Sequence, residues 1–228
     1  PRLVRLAYRM LGSVAEAEDV VQDAWLRWQK VDHAVDAPAA FLSRIVTRLC
    51  LDVMKSARVR RETYVGEWLP EPLLATPEDE DEDDLTLTLM MALERLSPLE
   101  RAAFLLHDVF GVALDEVALT LGRDAPAVRQ LAVRARKHVQ AARPRYPVER
   151  EEGDRIAQAF FAASRSGDVE GLRSILAQDV VMHADGGGKV QAYRKPIIGL
   201  DRVLRLLTSL NRKGLPQAAI FIRPVWID

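Results

Sequence analysis

Cysteine is almost missing from this chain. Among 228 residues Cys50 stands alone, which excludes an intrachain disulfide and any cysteine-based metal cage. Its neighbours Leu49 and Leu51 mark it as a buried thiol rather than a reactive one. Long apolar runs are lacking as well, and none approaches the roughly 20 residues that a transmembrane helix needs. Histidines number four, and the sequence shows neither a metal-ligand cluster nor a nucleophile–base arrangement. Neither sign of charge is in excess, since the net charge is −1. That balance hides a segregation: basic residues dominate 123–145, and 78–84 is an unbroken acidic run. Length and apolar content predict one to two domains with real cores, in a soluble, cytoplasmic protein. The chain opens at Pro1 inside a helical pattern, so a segment upstream of it is expected.

What is present is organised around residues 114–138, LDEVALTLGRDAPAVRQLAVRARKH. Val117 and Leu121 share one face of a short helix, and Ala118 allows a neighbour to approach closely. Gly122 can turn the chain with φ > 0. Asp124 suits an N-cap, and Pro126 falls in the first turn, where a missing N–H costs nothing. On the second helix Val128, Leu131, Ala132 and Ala135 face inward. Arg129, Gln130, Arg134, Arg136 and Lys137 face outward. Two short helices about a glycine turn, the second one basic outside, fit a helix-turn-helix whose second helix can enter a major groove. They also fit an ordinary helical hairpin with a solvated basic face. Arg123 departs from the pattern, occupying a turn position that is usually apolar.

Before this motif the chain reads as helices. Residues 3–11 are amphipathic and end at Gly12, and Ser13 with Glu16 has capping-box spacing for a helix over about 14–30. Val20, Val21, Ala24 and Leu26 are its expected core residues. Glu16, Asp19, Gln22 and Asp23 form an acidic face, and Trp25 and Trp28 lie one turn apart. That face is either solvated or a dock for a basic helix of a partner. After a polar loop over 31–38, a third helix is expected over about 39–57, with Phe41, Leu42, Ile45, Val46, Leu49 and Val53 apolar. Arg44, Arg48 and Lys55 lie outside, and the run continues into Arg58, Arg60 and Arg61, a strip suited to phosphates.

The pattern LAYRMLGSVAEAEDVVQDAWLRW, followed by AFLSRIVTRLCLD and SARVRRE, resembles the region 2 domain of bacterial extracytoplasmic-function sigma factors. The helix-turn-helix, preceded by LERLSPLERAAFLLHDVFG, resembles their region 4 domain. The resemblance implies that Asp19, Gln22 and Asp23 bind the clamp helices of the RNA polymerase β′ subunit, with the β flap as a second contact on the core enzyme. It implies that the loop 31–38 with Arg44, Arg48, Arg58, Arg60 and Arg61 recognises and opens the −10 element. Opening needs a basic surface for the displaced strand and a pocket for an unstacked base. Region 4 would read the −35 element, with Ala127, Arg129 and Gln130 near base edges and Arg134, Arg136 and Lys137 on phosphates. No cofactor or metal is implied, and a monomer is expected outside the holoenzyme.

The linker and the last third extend the resemblance. Residues 64–74 read YVGEWLPEPLL, and the two prolines forbid a regular helix. Trp68 and Leu69 beside Pro70, Glu71 and Pro72 suit a docked segment rather than a free tether. The acidic run 78–84 reads as solvated, or as a mimic of DNA phosphates against the basic helices. A helix resumes from Leu85 through Leu96, and Ser97-Pro98 starts the next one. Beyond Pro144 and Pro147 a helix over 151–166 with Ile156, Ala159, Phe160 and Ala163 inward is expected, then a short helix over 168–177. A strand over 180–183, the turn Asp185-Gly186-Gly187-Gly188-Lys189, a strand over 190–193, a helix over 200–210 and a strand over 218–226 follow. This α+β order resembles the cone-shaped SnoaL-like domains, relatives of ketosteroid isomerase. WLPEPL and DGGGK together resemble the sigma-factor group with a fused SnoaL-like extension, which stands in for a separate anti-sigma factor.

The expected fold is therefore multi-domain: an all-α region 2 bundle at 1–63, a linker at 64–84, an all-α region 4 helix-turn-helix at 85–145, and an α+β SnoaL-like cone at 150–228, incomplete at its C-terminal end. DGGGK is expected to pack against or near WLPEPL, with Lys189 facing Glu71. His183 and Asp185 could be drawn as an acid–base pair, yet a strand histidine is more often structural, and DGGGK lacks the context of a phosphate loop. The expected function is a sigma factor rather than an enzyme. The alternative is a DNA-binding regulator that acts without polymerase and whose cone senses a small ligand or performs catalysis.

Overall fold

The computed structural model describes residues 2–32, 34–61, 69–71, 87–141, 150–185, 193 and 195–212. They fall into two compact units. The first holds α1 (Arg2–Leu11), α2 (Val14–Trp28), α3 (Pro38–Arg61), α4 (Leu87–Glu94), α5 (Pro98–Phe104), a π-helical turn (Leu105–Val109), α6 (Leu114–Leu121) and α7 (Ala125–Ala141). Its helices begin and end where local chemistry dictates. Gly12, at φ 75°, turns the chain out of α1. The Ser13 side chain then accepts from the Glu16 N–H and starts α2. Ser97 and Glu100 cap α5 reciprocally, with Pro98 in the first turn. Gly122, at φ 61° and ψ 42°, ends α6 in the left-handed conformation that side chains disfavour. Two residues on, Asp124 accepts from the Ala127 N–H at 2.7 Å and opens α7.

One continuous core runs through this unit. Leu6 and Met10 of α1, Val46 and Cys50 of α3, Leu93, Leu105, Val117, Val128 and Ala135 belong to a single apolar cluster. The helices expected for regions 2 and 4 thus share packing: α1 meets α4 and α5, and α3 meets α5 and α6. Polar ties reinforce the contact. Arg101, 2 % exposed, donates to the Met10 carbonyl at 2.7 Å and pairs with Glu94 at 2.9 Å. The Arg9 and Arg2 guanidiniums lie 5.4 and 5.6 Å from the centre of the Phe110 ring, in cation–π geometry. One core expectation fails: Leu26 is 47 % exposed. It follows Gln22 by four residues and so takes the outer face of α2, whereas Ala17, Val20 and Ala24 take the inner one.

The second unit contains α8 (Arg150–Ser166), α9 (Val169–Ile175), β1 (Val181–Met182), β2 (Ile197–Ile198) and α10 (Leu200–Arg212). Asp168 caps α9 by accepting from the Gly171 N–H at 2.9 Å. The strands pair antiparallel, Val181 with Ile198 and Met182 with Ile197. Ala163, Leu172, Leu200 and Leu204 form the core, with Phe160, Val169, Leu176, Val180 and Leu207 against it. Ile156 and Ala159 are exposed, contrary to the expected inward face of α8. The inner face there is carried by Phe160 and Ala163, while Ile156 lies one turn nearer the start of the helix. The expected strand 190–193 falls outside the described residues except for Tyr193, and the strand 218–226 falls outside them entirely. Among the described residues no helix is long and apolar enough to cross a membrane.

Candidate nucleic-acid interface

Helix α7 divides cleanly. Val128, Leu131, Ala132 and Ala135 are buried, while Arg129, Gln130, Arg134 and Lys137 are exposed and Ala127 and Arg136 half-buried. The arginines are not equivalent. The Arg134 Nε donates to Glu100 at 2.7 Å, and the Arg136 Nε donates to Asp108 at 2.6 Å. Burial by itself would raise the Glu100 carboxyl, but hydrogen bonds from Ser97 and Arg134 outweigh it and hold the group below its ordinary value. Glu100 therefore stays charged and fixes α7 against α5. Asp108 reaches Arg136 from the π-helical turn, whose extra residue re-aims the side chains that follow it. Arg129, Gln130 and Lys137 are exposed as well.

Helix α2 carries the second surface. Asp19, Gln22 and Asp23 are all exposed and lie at i, i+3 and i+4, so they form one stripe, which Leu26 continues. Beside it, Trp25, Trp28, Gln29, Val31, Ala34, Val35 and Pro38 line an open cavity of about 630 Å³. One of its lining residues, Trp28, makes an edge-to-face contact with Phe41 at 5.7 Å. The cavity lies where the end of α2 meets the loop 31–38. Trp25 is 54 % exposed at its rim, so an aromatic plane is open to a stacking partner. The one-turn spacing of the two tryptophans was the signal for it in the sequence.

On α3 the expected −10 residues split. Arg48 donates from Nε to the Thr120 carbonyl at 3.3 Å and from Nη2 to the Leu119 carbonyl at 3.4 Å. These are among the last carbonyls of α6, the negative end of that helix. Arg44 is half-buried, and its Nε finds no hydrogen-bond partner among the described residues. Arg58, Arg60 and Arg61 end α3, and their side chains lie outside the described residues.

Of the linker, residue 71 is bonded to α1, Gly12 and the start of α2. The Glu71 N–H donates to the Gly12 carbonyl at 2.8 Å, and the Glu71 carbonyl accepts from the Tyr8 hydroxyl at 2.5 Å. The Glu71 carboxylate accepts from the Val14 N–H at 2.9 Å, at the positive end of α2. Burial first, and the Glu71 charge second, raise the Tyr8 phenol above its ordinary value. Pro70 is buried, and its Cα lies 3.7 Å from where a Cβ on Gly12 would stand. Thus a side chain at position 12 would meet the linker as well as a strained φ. Trp68, Pro72, Gly186, Gly187, Gly188 and Lys189 lie outside the described residues. Asp185 follows β1, two residues after His183. Among the described residues no group of three or more His, Cys, Asp or Glu could hold a metal ion.

These features agree with what comparison with known proteins finds. Residues 1–60 match the Sigma-70 region 2 family and residues 86–139 the Sigma-70, region 4 family. The ECF RNA polymerase sigma factor SigJ of Mycobacterium tuberculosis is 40% identical over 222 residues, covering 94% of this chain and 71% of that protein. A probable ECF RNA polymerase sigma factor, SigI of the same species, is 34% identical and covers 98% of this chain and 77% of its own length. The crystal structure of M. tuberculosis SigJ superposes with a TM-score of 0.74 at 38% identity, over 95% of this chain and 74% of that one. The Bartonella quintana sigma factor RpoE, solved with the anti-sigma factor NepR, shares the fold at a TM-score of 0.50 and 22% identity, over 62% of this chain. With the region 2 and region 4 helices in the order and geometry described, this chain belongs to the extracytoplasmic-function family of RNA polymerase sigma factors.

Proposed function

We propose that this sigma factor engages core polymerase through α2, captures the opened −10 strand at the end of α2, and reads the −35 element through the outer face of α7. The reading is carried by the exposed stripe Asp19, Gln22, Asp23 and Leu26 lying beside the tryptophan cavity. Acidic residues around an apolar anchor suit a basic partner helix, and an open aromatic wall suits an unstacked base. The protein works where its polymerase works, in the cytoplasm.

The closed packing has a consequence for promoter binding. A compact unit of about 140 residues is about 40 Å across, whereas elements 25 base pairs apart are separated by about 85 Å of duplex. Regions 2 and 4 must therefore separate on the promoter, which frees Arg48 from α6 for phosphates. Residues 69–71, tied to α1 and α2, are placed to couple the linker to that separation. The C-terminal domain modulates activity in cis, in place of a separate anti-sigma factor, through Asp185–Lys189 acting on the segment from Trp68 to Pro72. Lys189 and Glu71 are the charged pair proposed for that action.

The test is run-off transcription with bacterial core polymerase, using the chain with and without residues 150–228. Promoter-specific transcripts that change on removal of the extension are expected. Asp19→Lys with Asp23→Lys should abolish binding to core, and unchanged binding refutes the α2 reading. Replacing Asp185–Lys189 by alanines should alter transcription without unfolding the protein, and unaltered transcription refutes the regulatory contact.

A further inference from the structure

The outward stripe of α7 runs through Pro126, Arg129, Gln130, Val133 and Lys137, all exposed. Val133 is the one branched aliphatic side chain among them and is 44 % exposed. Arg129 lies four residues before it, Gln130 three before, and Lys137 four after, so each is a neighbour on the same face. The flanking cations do not cover it: Arg134 is drawn to Glu100 and Arg136 to Asp108. Both bonds tie their arginines back to α5 and the π-helical turn. The centre of a face built to approach a polyanion is thus a branched apolar group with no donor or acceptor.

In a major groove, arginine and glutamine are matched by the acceptors and donors of guanine and adenine edges. The feature that an apolar side chain can read there is the C5 methyl of thymine. We propose that Val133 is a specificity-determining residue that selects a thymine in the upstream promoter element by packing against its methyl group. This rests on the reading that α7 faces DNA and assigns one position within it. Gln130 and Val133 are separated by about 4.5 Å along the helix axis, and base pairs by about 3.4 Å. The selected thymine therefore lies one or two base steps from the base that Gln130 contacts.

The experiment uses the full chain with core polymerase and a template library randomised upstream of the start site. Wild type should enrich a thymine at one position of the upstream element. Replacing that thymine by deoxyuridine removes only the methyl and should lower initiation about fourfold, the value of one buried methyl group. Val133→Ala should lose the thymine preference at that position alone and become insensitive to deoxyuridine, while helix content by circular dichroism is unchanged. Arg129→Ala serves as the control for α7 itself and should weaken recovery with a preference lost at a different position. If wild type enriches an upstream element but Val133→Ala keeps the thymine preference and the methyl effect, or the element has no thymine, the role of Val133 is refuted and the reading of α7 stands. If wild type enriches no upstream sequence, the reading of α7 fails and the inference fails with it.

Discussion

Replacing Arg101 by methionine removes the cation that ties α5 to the end of α1. Arg101 is 2 % exposed and Glu94 13 %, and their 2.9 Å contact is an ion pair almost without solvent. The same guanidinium supplies the donor for the Met10 carbonyl. Breaking a buried pair from one side strips the Glu94 carboxylate of this cation and the Met10 carbonyl of its donor, at a cost of about 3–5 kcal/mol. For a chain of this size each kcal/mol is worth about 2–4 °C, so Arg101→Met should lower the midpoint of thermal unfolding of the helical first unit by about 6–20 °C. Far-ultraviolet circular dichroism at fixed protein concentration reads it. The double variant Arg101→Met with Glu94→Leu removes both charges, and also the orphaned Arg101 Nε. It should recover most of the loss, because an apolar pair of similar volume is often neutral in such a place. A single-variant shift below about 2 °C, or a double variant that simply sums the two single losses, would show that Arg101 and Glu94 are not coupled.

Three further outcomes follow from named groups. Glu100 is held below its ordinary value of 4.5, so its contribution is complete above that pH and is lost as pH falls through the lowered folded value. Acid unfolding of wild type should therefore steepen below about pH 4.5, and Glu100→Gln should flatten that limb; an unchanged limb refutes the assignment. Burial pushes the Cys50 thiol up to about 12, so the folded protein should resist alkylation at pH 8 and the unfolded protein react at the rate of a free thiol. Rapid modification of folded protein would contradict that burial. Gly122 has no heavy atom within 4 Å of a Cβ built on it, so Gly122→Ala meets no clash and pays only for φ 61°. The expected loss is about 1–2 kcal/mol, read by the same thermal scan, with Gly122→Asn losing less.

Much of the fold was legible because helix ends are decided within a turn or two of chain. Ser13, Asp124 and Asp168 act as caps from their own side chains onto an N–H three residues on, and Gly122 stops α6 by its own φ. The same locality made the buried face of α7 readable, since a period of 3.6 sorts Val128, Leu131, Ala132 and Ala135 from Arg129 and Gln130 without any knowledge of neighbours. It also placed Asp19, Gln22 and Asp23 on one stripe. The family resemblance, which the comparisons bear out, supplied the meaning of those faces.

Periodicity could not tell what each face would meet. Leu26 reads as core by its apolar character although the 3.6 period puts it on the Gln22 stripe, and the packing of α1 and α3 onto the Ala17–Val20–Ala24 side leaves it pointing out. Arg48, Arg134 and Arg136 looked alike as outer arginines. Arg48 is bonded to carbonyls more than 70 residues away, and Arg134 and Arg136 to carboxylates 34 and 28 residues away. The buried Arg101–Glu94 pair reaching Met10, the Phe110 ring under two guanidiniums and the π-helical turn belong to the same class. By itself the sequence determined the elements, their ends and the sorting of each helix into faces, because those depend on a few neighbouring residues. Tertiary structure decided which charges are held in place and which remain to meet a partner, because a long side chain's bond depends on what distant helix the core brings within reach.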